Sequence, residues 1–172
     1  MSTQAENTRE ENSQQENAEA LVDAFDSFDS WEERYAFLID LGKKLPPLDE
    51  GEKNDVNRVH GCQSSVWMVA KPRHEEPEDV VEFVADSDST LVKGLIAILR
   101  KVYSGQPASR ILNFDIEALL QQLGLNQHLT VGRRNGLYSM VQRIRTLAAQ
   151  LTGRDGIAPN GIAPNSVATN HN

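Results

Sequence analysis

The chain has 172 residues, with 17 Lys and Arg against 25 Asp and Glu, and its formal net charge is -8. This length allows one domain with a hydrophobic core and is too short for two domains of ordinary size. The acidic residues are spread along the chain and the basic residues do not cluster, so the composition argues against nucleic acid as a partner.

Two further features of the sequence bear on where in the cell the protein is expected. No stretch approaches the roughly 20 apolar residues that a transmembrane helix needs, and residues 1–17 lack the apolar core of a signal peptide. We therefore expect no membrane partner and no export. The one cysteine, Cys62, cannot form an internal disulfide, and a lone thiol is best preserved in a reducing compartment. The sequence therefore favours the cytoplasm.

Polar segments flank the predicted domain. Residues 1–17 are rich in Gln, Glu, Asn and Ser, and they have too little apolar surface to offset the entropy of ordering, which predicts a disordered tail. Residues 153–172 contain GIAPN twice in succession, and such a Gly- and Pro-containing repeat predicts a flexible tail. The domain itself is predicted over residues 18–152.

Two helices are predicted to open this domain. The first has apolar residues at helical spacing: Leu21, Val22, Phe25 and Phe28. For the second, Ser30 and Glu33 form a capping-box pair ahead of further apolar residues. Pro46 and Pro47 are expected to end it.

An antiparallel pair of strands is predicted next. Residues 66–71 and 80–85 are short runs rich in β-branched and aromatic residues, and the polar link 72–78 joins them. In the second run, residues alternate in a way that predicts one face packed on helices and the other less buried.

The C-terminal half predicts three more helices. The strongest has a wide apolar stripe, with Ser89 as its N-cap and Gly105 just beyond its end. Asp115 can cap a short helix that runs up to Gly124, and Thr130 can begin a last helix. Helices, then strands, then helices predict an α+β domain, with a small antiparallel sheet of about three strands flanked by helices.

Cys62 lies in a segment typical of a loop tip. Gly61 precedes it, Gln63 and Ser64 follow, and the first predicted strand begins at Val66. Nucleophilic sulfur chemistry needs an accessible thiolate, and glycine lets the backbone turn tightly or move. Gly61 and Gln63 are therefore candidate supporting residues. Free cysteine is also among the most buried residue types, so inert packing is the alternative.

The residues around this thiol match a family motif. Residues 60–67, HGCQSSVW, resemble the Gly-Cys-Gln-Ser-x-Val-Trp signature of the SufE and CsdE sulfur acceptors. Further segments resemble family segments in family order, so that the resemblance covers about residues 20–151: 31–45, 86–99, 113–115 and 128–137. The departures are Ser65, where many members have Gln or Lys, and Val131, where Pro is common.

The resemblance implies a SufE/IscU-like fold and a persulfide relay. Cys62 would take the outer sulfur of a persulfide on a cysteine desulfurase of the SufS or CsdA type, stimulate that enzyme, and deliver the sulfur for iron-sulfur cluster assembly on a scaffold such as the SufBCD complex. The PLP cofactor belongs to the desulfurase, so no cofactor or metal is expected on this chain. The family's loop is thought to tuck the thiol away when free and to extend it when docked. The chain would be a sulfur-transfer accessory protein rather than an independent enzyme.

Charged residues near Cys62 are candidates for activating it. Because free cysteine titrates near about 8.5, a nearby positive charge would increase the thiolate fraction. His60 and Arg58 are the local candidates, and the alternatives are a solvated His60 and an Arg58 that pairs with Asp55.

Arg133 and Asp86 also lie in family-like segments. Arg133, at the start of the last predicted helix, could meet the desulfurase or the cysteine loop. For Asp86, and more so for Asp88, the alternative is a favourable interaction with the N-terminus of the following helix.

Three other functions are weighed against the relay. A zinc or iron-sulfur scaffold needs three or four converging ligands, whereas the chain has one cysteine, and His74, His128 and His171 are distant in sequence from His60. A cysteine hydrolase needs a histidine base, for which His128 could serve, but no oxyanion-hole glycine pattern accompanies the thiol. A thiol-independent adaptor would keep its function after Cys62→Ser.

Overall fold

The computed structural model describes residues 3–153, with side chains described from Ser13 onward, and shows seven helices and one three-stranded sheet in that part of the chain. The helices are α1 (Thr3–Asp26), α2 (Trp31–Lys43), α3 (Thr90–Tyr103), α4 (Ala108–Asn113), α5 (Ile116–Gln122), α6 (Leu125–His128) and α7 (Val131–Thr152). The strands are β1 (Val66–Arg73), β2 (Val80–Ser87) and β3 (Gln106–Pro107). The predicted α+β class is confirmed.

The sheet has the order β1-β2-β3, with both neighbours antiparallel to β2. The β1–β2 register pairs Val66 with Ser87 at one end and Arg73 with Val80 at the other. The predicted strand pair is therefore confirmed, and each strand continues two residues beyond its predicted end. β3 pairs only with the first two residues of β2.

Four of the helices begin at side-chain caps. In each case the capping oxygen accepts a hydrogen bond from the backbone N–H three residues later, which satisfies a donor that has no partner within the helix. The caps are Ser30 for α2, Ser89 for α3, Asp115 for α5 and Thr130 for α7. All four are caps that the sequence predicts.

α3 lies at the centre of the core and crosses α2 at close range. A Cβ atom at Gly94 would overlap the carbonyl group of Leu38, and one at Gly42 would lie 2.7 Å from the Cβ atom of Lys93. Glycine at both positions therefore lets the two helix backbones approach. The apolar face of α3 is then fully enclosed, with five side chains at most 1% exposed: Leu95, Ile96, Ile98, Leu99 and Val102.

α1 extends into the segment predicted as a disordered tail. Gln14 is buried and donates from Nε2 to the Val102 carbonyl oxygen at 2.7 Å, and Asn17 donates from Nδ2 to the Lys101 carbonyl oxygen at 2.8 Å. The last carbonyls of a helix lack partners within it, so amide side chains can dock a polar helix by capping those of α3. The packed structure thus begins before the predicted boundary at residue 18.

The last helix ends at a left-handed residue. Gly153 follows α7 with φ 70°, and its N–H caps the Ala149 and Gln150 carbonyl groups. The remainder of the predicted C-terminal tail, residues 154–172, lies outside the described residues. No helix in the part that is described is long and apolar enough to cross a membrane.

Candidate functional site

Cys62 lies on a short loop that is closed at its base by backbone hydrogen bonds. The Val59 N–H donates to the Val66 carbonyl oxygen at 2.8 Å, and the Met68 N–H donates to the Asn57 carbonyl oxygen at 2.8 Å. Residues 60–65 project beyond this base and form no strand or helix. We call residues 60–65 the cysteine loop.

The downstream end of the cysteine loop is tied to the end of β2. The Ser65 N–H donates to the Asp88 carboxylate at 3.1 Å, and the Ser65 carbonyl oxygen accepts from the Ser87 hydroxyl at 2.8 Å and from the Asp88 N–H at 3.3 Å. Three hydrogen bonds therefore hold one residue. Asp88 thus contacts the cysteine loop directly. The sequence predicted for Asp88 only an interaction with the N-terminus of α3.

The upstream approach to the loop is held by α7. The guanidinium group of Arg143 donates to the Asn57 carbonyl oxygen at 3.0 Å and to the Val56 carbonyl oxygen at 3.3 Å. With both ends fixed by hydrogen bonds, freedom to move is concentrated in residues 60–64. Gly61, with φ 89°, adopts there a left-handed conformation that favours glycine.

The tip of the loop packs into the surface of α7 at two glycines. A Cβ atom at Gly136 would lie 2.6 Å from the Cys62 Sγ atom, and one at Gly132 would lie 2.7 Å from the Gln63 Oε1 atom. Residues four apart lie on one helix face, so Gly132 and Gly136 together form a recess. We call these two residues the glycine notch. An alanine at position 136 would not fit without displacing the Cys62 thiol, and one at position 132 would require the Gln63 side chain to move.

The inner side of the thiol faces an apolar wall. A cavity of about 10 Å³ adjoins Cys62, which is the limit for holding a single water molecule. Besides the notch and residues 62–64, it is lined by Val92, Leu95, Arg133, Leu137 and Met140. Cys62 itself is half-buried and packs against the hydrophobic core.

The surroundings of the thiol disfavour its ionisation. Burial raises the pKa of Cys62, and the positive charge of Arg58 lowers that pKa by a smaller amount. Because the thiolate is the nucleophilic form, the docked conformation holds Cys62 in a form of low reactivity. The cavity that the thiol faces has no histidine among its lining residues.

The predicted supporting residues do not all lie beside the Cys62 thiol. Gln63 and Arg133 line the cavity beside Cys62. Arg58, exposed at the base of the loop, affects the pKa of the thiol. His60 is exposed at the loop surface and does not line the cavity.

Asp86 lies on β2 and is paired away from the thiol. Its carboxylate contacts the Lys53 ammonium at 3.1 Å and the Lys93 ammonium at 3.4 Å. Burial raises the pKa of Asp86, but hydrogen bonds from Lys53 and the Ser87 N–H, together with the charge of Lys93, lower it to a net depressed value. The Lys53 ammonium also lies 5.9 Å from the centroid of the Trp67 ring. Asp86 therefore belongs to a charged cluster beside the loop base.

Sequence reasoning missed the glycine notch and the Arg143 contacts. Two glycines one helical turn apart inside a predicted helix are a signal for close packing, and Gly132 and Gly136 had that spacing. The spacing does not identify what packs there. Nothing in the sequence around Arg143 indicated that it holds the backbone at Val56 and Asn57.

The geometry lends no support to two of the alternative functions. Within residues 13–153, no group of three His, Cys, Asp or Glu side chains could hold a metal ion. His128, the candidate base for a hydrolase, stacks on Trp31 with ring centroids 3.6 Å apart. The Tyr35 hydroxyl group donates to the His128 carbonyl oxygen, so this residue belongs to an aromatic cluster with α2.

Comparison with known proteins agrees with the motif. The family model described as "SufE: Fe-S metabolism associated domain" matches residues 19–148. An uncharacterized SufE-like protein of Rhizobium etli is 42% identical over 125 residues, covering 73% of this chain and 84% of the relative. Another, of Rhizobium meliloti, is 38% identical over 128 residues, covering 74% and 91%.

A solved structure has the same fold. The solution structure of a hypothetical protein from Thermus thermophilus aligns with a TM-score of 0.62 at 21% identity, covering 80% of this chain and 96% of that one. The likeness at this identity concerns the fold alone. The family match and the two relatives, by contrast, extend over most of the chain. The protein therefore belongs to the SufE family of Fe-S metabolism associated domains.

Proposed function

We propose that this protein is a sulfur acceptor in which Cys62 takes persulfide sulfur from a PLP-dependent cysteine desulfurase of the SufS or CsdA type. The observation that carries the proposal is the placement of the chain's one cysteine on a loop with a fixed base and a tip held by side-chain packing. Such a tip can be presented to a partner without disturbing the fold. Membership of a family associated with Fe-S metabolism supports the same role.

The transfer is a thiol–persulfide exchange. The Cys62 thiolate attacks the outer sulfur of the donor persulfide, a new S–S bond forms on Cys62, and the S–S bond of the donor breaks. The donor cysteine leaves as a thiolate, and it takes up the proton that Cys62 released. No net oxidation or reduction occurs, so this chain needs no redox cofactor of its own. The PLP chemistry that produces the persulfide takes place on the desulfurase.

The docked loop is unsuited to this reaction as it stands. The thiol faces a cavity of about 10 Å³, and burial raises the pKa of Cys62. Extension of the loop toward the desulfurase would return the thiol to water and lower its pKa toward the ordinary value. It would also let the Cys62 sulfur atom reach the outer sulfur of the donor persulfide. Removing the product from the desulfurase in this way would stimulate its turnover.

The destination of the sulfur follows from the same proposal. A loaded, extended loop would deliver its sulfur for iron-sulfur cluster assembly, on a scaffold such as the SufBCD complex. We place the reaction in the cytoplasm, because a reducing compartment keeps a lone thiol available between transfers. Arg133, beside the thiol and at the first turn of α7, is the residue that we propose meets the desulfurase.

Intact-protein mass spectrometry tests the proposal. The wild-type protein and Cys62→Ser are each incubated with an active desulfurase and cysteine. We expect the wild type to gain the mass of one or more sulfur atoms and the variant to gain none. Desulfurase stimulation that persists undiminished with folded Cys62→Ser would instead establish a thiol-independent adaptor, or a scaffold-like binding role.

A further inference from the structure

We infer that the glycine notch of α7 accepts the cysteine loop only while Cys62 bears no added sulfur, so that sulfur loading itself displaces the loop. The inference rests on the proposed function for the nature of the adduct, a persulfide. It assigns to Gly136 and Gly132 a positioning role that discriminates between the empty carrier and the loaded one. The discriminating element is thus a helix surface, not a partner protein.

The first support is the contact between the sulfur atom and the helix. A Cβ atom at Gly136 would lie 2.6 Å from the Cys62 Sγ atom and 3.2 Å from the Cys62 Cβ atom. Heavy atoms in contact are normally 3.5–4.0 Å apart. The helix surface is therefore already filled by the thiol, and no atom can be added between Sγ and α7.

The second support is the absence of room on the core side. The cavity beside the thiol has a volume of about 10 Å³, and Leu95, Leu137 and Met140 on its wall are at most 1% exposed. A sulfur atom bonded to Sγ needs more space than the single water molecule that such a cavity can hold at most. Interiors of this packing density do not yield without cost.

The third support is the way in which the loop is attached. Its ends are held by backbone hydrogen bonds at Val59, Ser65 and Val66, whereas its tip is held by the packing of Cys62 and Gln63 on the notch. A clash at the tip can therefore be relieved by moving residues 60–64 alone. The base of the loop and the sheet keep their hydrogen bonds.

The consequence is a carrier whose exposure depends on its load. The empty thiol is shielded against the notch, which limits oxidation and unwanted exchange. The loaded persulfide is held out of the notch, where the next acceptor can reach its outer sulfur. Loading and presentation are then coupled without any further signal, as a shift between two loop populations.

Backbone amide hydrogen exchange, followed by NMR, tests this coupling. The protein is loaded with inorganic polysulfide under anaerobic conditions. The Cys62 thiolate attacks one sulfur atom of the polysulfide, so that an S–S bond forms on Cys62, an S–S bond of the polysulfide breaks, and a shortened polysulfide leaves. No desulfurase takes part, so the result does not depend on which enzyme is the natural donor. Cys62→Ser treated with the same reagent shows any effect of the reagent alone.

Three glycine substitutions complete the design. Gly136→Ala fills the notch, so its unloaded form should already have the released loop. Gly51→Ala is the matched control, because a Cβ atom at Gly51 would have nothing within 4 Å. Gly132→Ala displaces the flexible Gln63 side chain instead of the thiol, so it shows what the Gln63 contact contributes to holding the tip of the loop.

We expect loading to speed exchange of the amides of residues 60–64 about tenfold or more in the wild type, with Ser65 and α3 unchanged. Gly136→Ala should exchange fast before loading and gain nothing afterwards, while Gly51→Ala should behave as the wild type. Equal exchange in loaded and unloaded wild-type protein would overturn the inference, whatever the variants do. Loading by polysulfide but never by a desulfurase would overturn the proposed function instead.

Discussion

Gly136 of α7 lies against the Cys62 sulfur atom so closely that a Cβ atom on residue 136 would be 2.6 Å from Sγ. The two residues are 74 positions apart in sequence (136 − 62). Their contact leaves the Cys62 thiol half-buried against α7.

Replacing Gly136 by alanine should expose the thiol without unfolding the protein. The added methyl group cannot share the notch with Cys62, and overpacking of about 1–3 kcal/mol corresponds to about a 5- to 150-fold shift in the loop equilibrium. Alanine also favours a helix over glycine by about 1 kcal/mol, which offsets part of the overpacking cost, so we expect a folded protein whose melting temperature is equal to or somewhat below that of the wild type. The rate of Cys62 alkylation by iodoacetamide at neutral pH is the measurement.

The control for this experiment is Gly51→Ala, whose added methyl group meets no atom within 4 Å. It should alkylate at the wild-type rate. If Gly136→Ala also reacted at the wild-type rate while remaining folded, the notch would have no part in shielding Cys62.

The pH dependence of alkylation should report the docked loop. Burial raises the pKa of Cys62 above its ordinary value, so docking of the neutral thiol is fully favourable below that ordinary value and weakens as the pH rises through the raised pKa. We therefore expect the alkylation midpoint of the wild type to lie above that of an ordinary cysteine. In Gly136→Ala the midpoint should fall toward the ordinary value.

Arg58→Ala should raise the alkylation midpoint of Cys62, whereas Gly136→Ala should lower it. Arg58 supplies the positive charge that lowers the pKa of Cys62, so its removal should raise the midpoint further. Arg58→Lys, which keeps the charge, should stay near the wild type. A midpoint that does not change in Arg58→Ala would show that the guanidinium group does not act on the thiol, leaving burial as the sole cause of the shift.

Arg133→Ala should weaken stimulation of the desulfurase more than it weakens the fold. The side chain lines the cavity beside Cys62 but is only half-buried, and it lies in the first turn of α7, where Thr130 already caps the helix. Loss of a surface charge of this kind costs about 0–1 kcal/mol of stability. The measurements are sulfide release by the desulfurase at varied protein concentration and the melting temperature.

A second arginine variant distinguishes a specific contact of Arg133 with the desulfurase from an effect of the protein's net charge. Arg110 lies on α4 and does not line the cavity beside Cys62, so Arg110→Ala removes the same charge elsewhere. Stimulation should be lowered only by Arg133→Ala. Equal loss in both variants would assign the effect to net charge, and no loss in either would leave Arg133 as an ordinary surface residue.

Gln14→Ala should destabilise the domain although it lies in a strongly polar segment. Its amide donates to the Val102 carbonyl oxygen at the end of α3 and is buried. Loss of a buried hydrogen bond that leaves a carbonyl unsatisfied costs about 1–3 kcal/mol. Urea unfolding should therefore show a lower midpoint than the wild type.

Gln15→Ala is the neighbouring control. Gln15 is exposed and its amide contacts only Glu19 within α1, so the variant should unfold at the wild-type midpoint. If Gln14→Ala also unfolded at that midpoint, the hydrogen bond from Gln14 to Val102 would contribute nothing to the stability of the domain.

The elements that the sequence predicts well are those specified by neighbouring residues. Ser30, Ser89, Asp115 and Thr130 cap their helices as predicted, because a cap involves residues only three positions apart. The strands β1 and β2 are likewise a local pattern joined by a short connection. The loop tip at Cys62, ahead of β1, was predicted from the glycine before it, the small polar residues after it and the strand that follows.

The elements that the sequence does not predict depend on distant partners. A sheet of about three strands is predicted, but the position of the third is not: β3 has two residues, which pair with Val80 and Val81 of β2. The early start of α1 depends on free carbonyl groups at the end of α3, 88 residues away from Gln14. From composition alone such a segment is predicted to be disordered because it is so polar. The hydrogen bonds that hold it in place involve distant residues and cannot be inferred from its own sequence.

The sequence by itself determined the α+β class, the helix caps, the strand pair and the position of the chain's one cysteine, because each depends on local pattern or on residue type. Tertiary structure decided the rest. Only the packing of α7 on the loop brings Gly136 to Cys62, buries the thiol and raises its pKa. Proximity and burial are properties of the folded chain, so the environment of the Cys62 thiol is fixed by residues far from it in sequence.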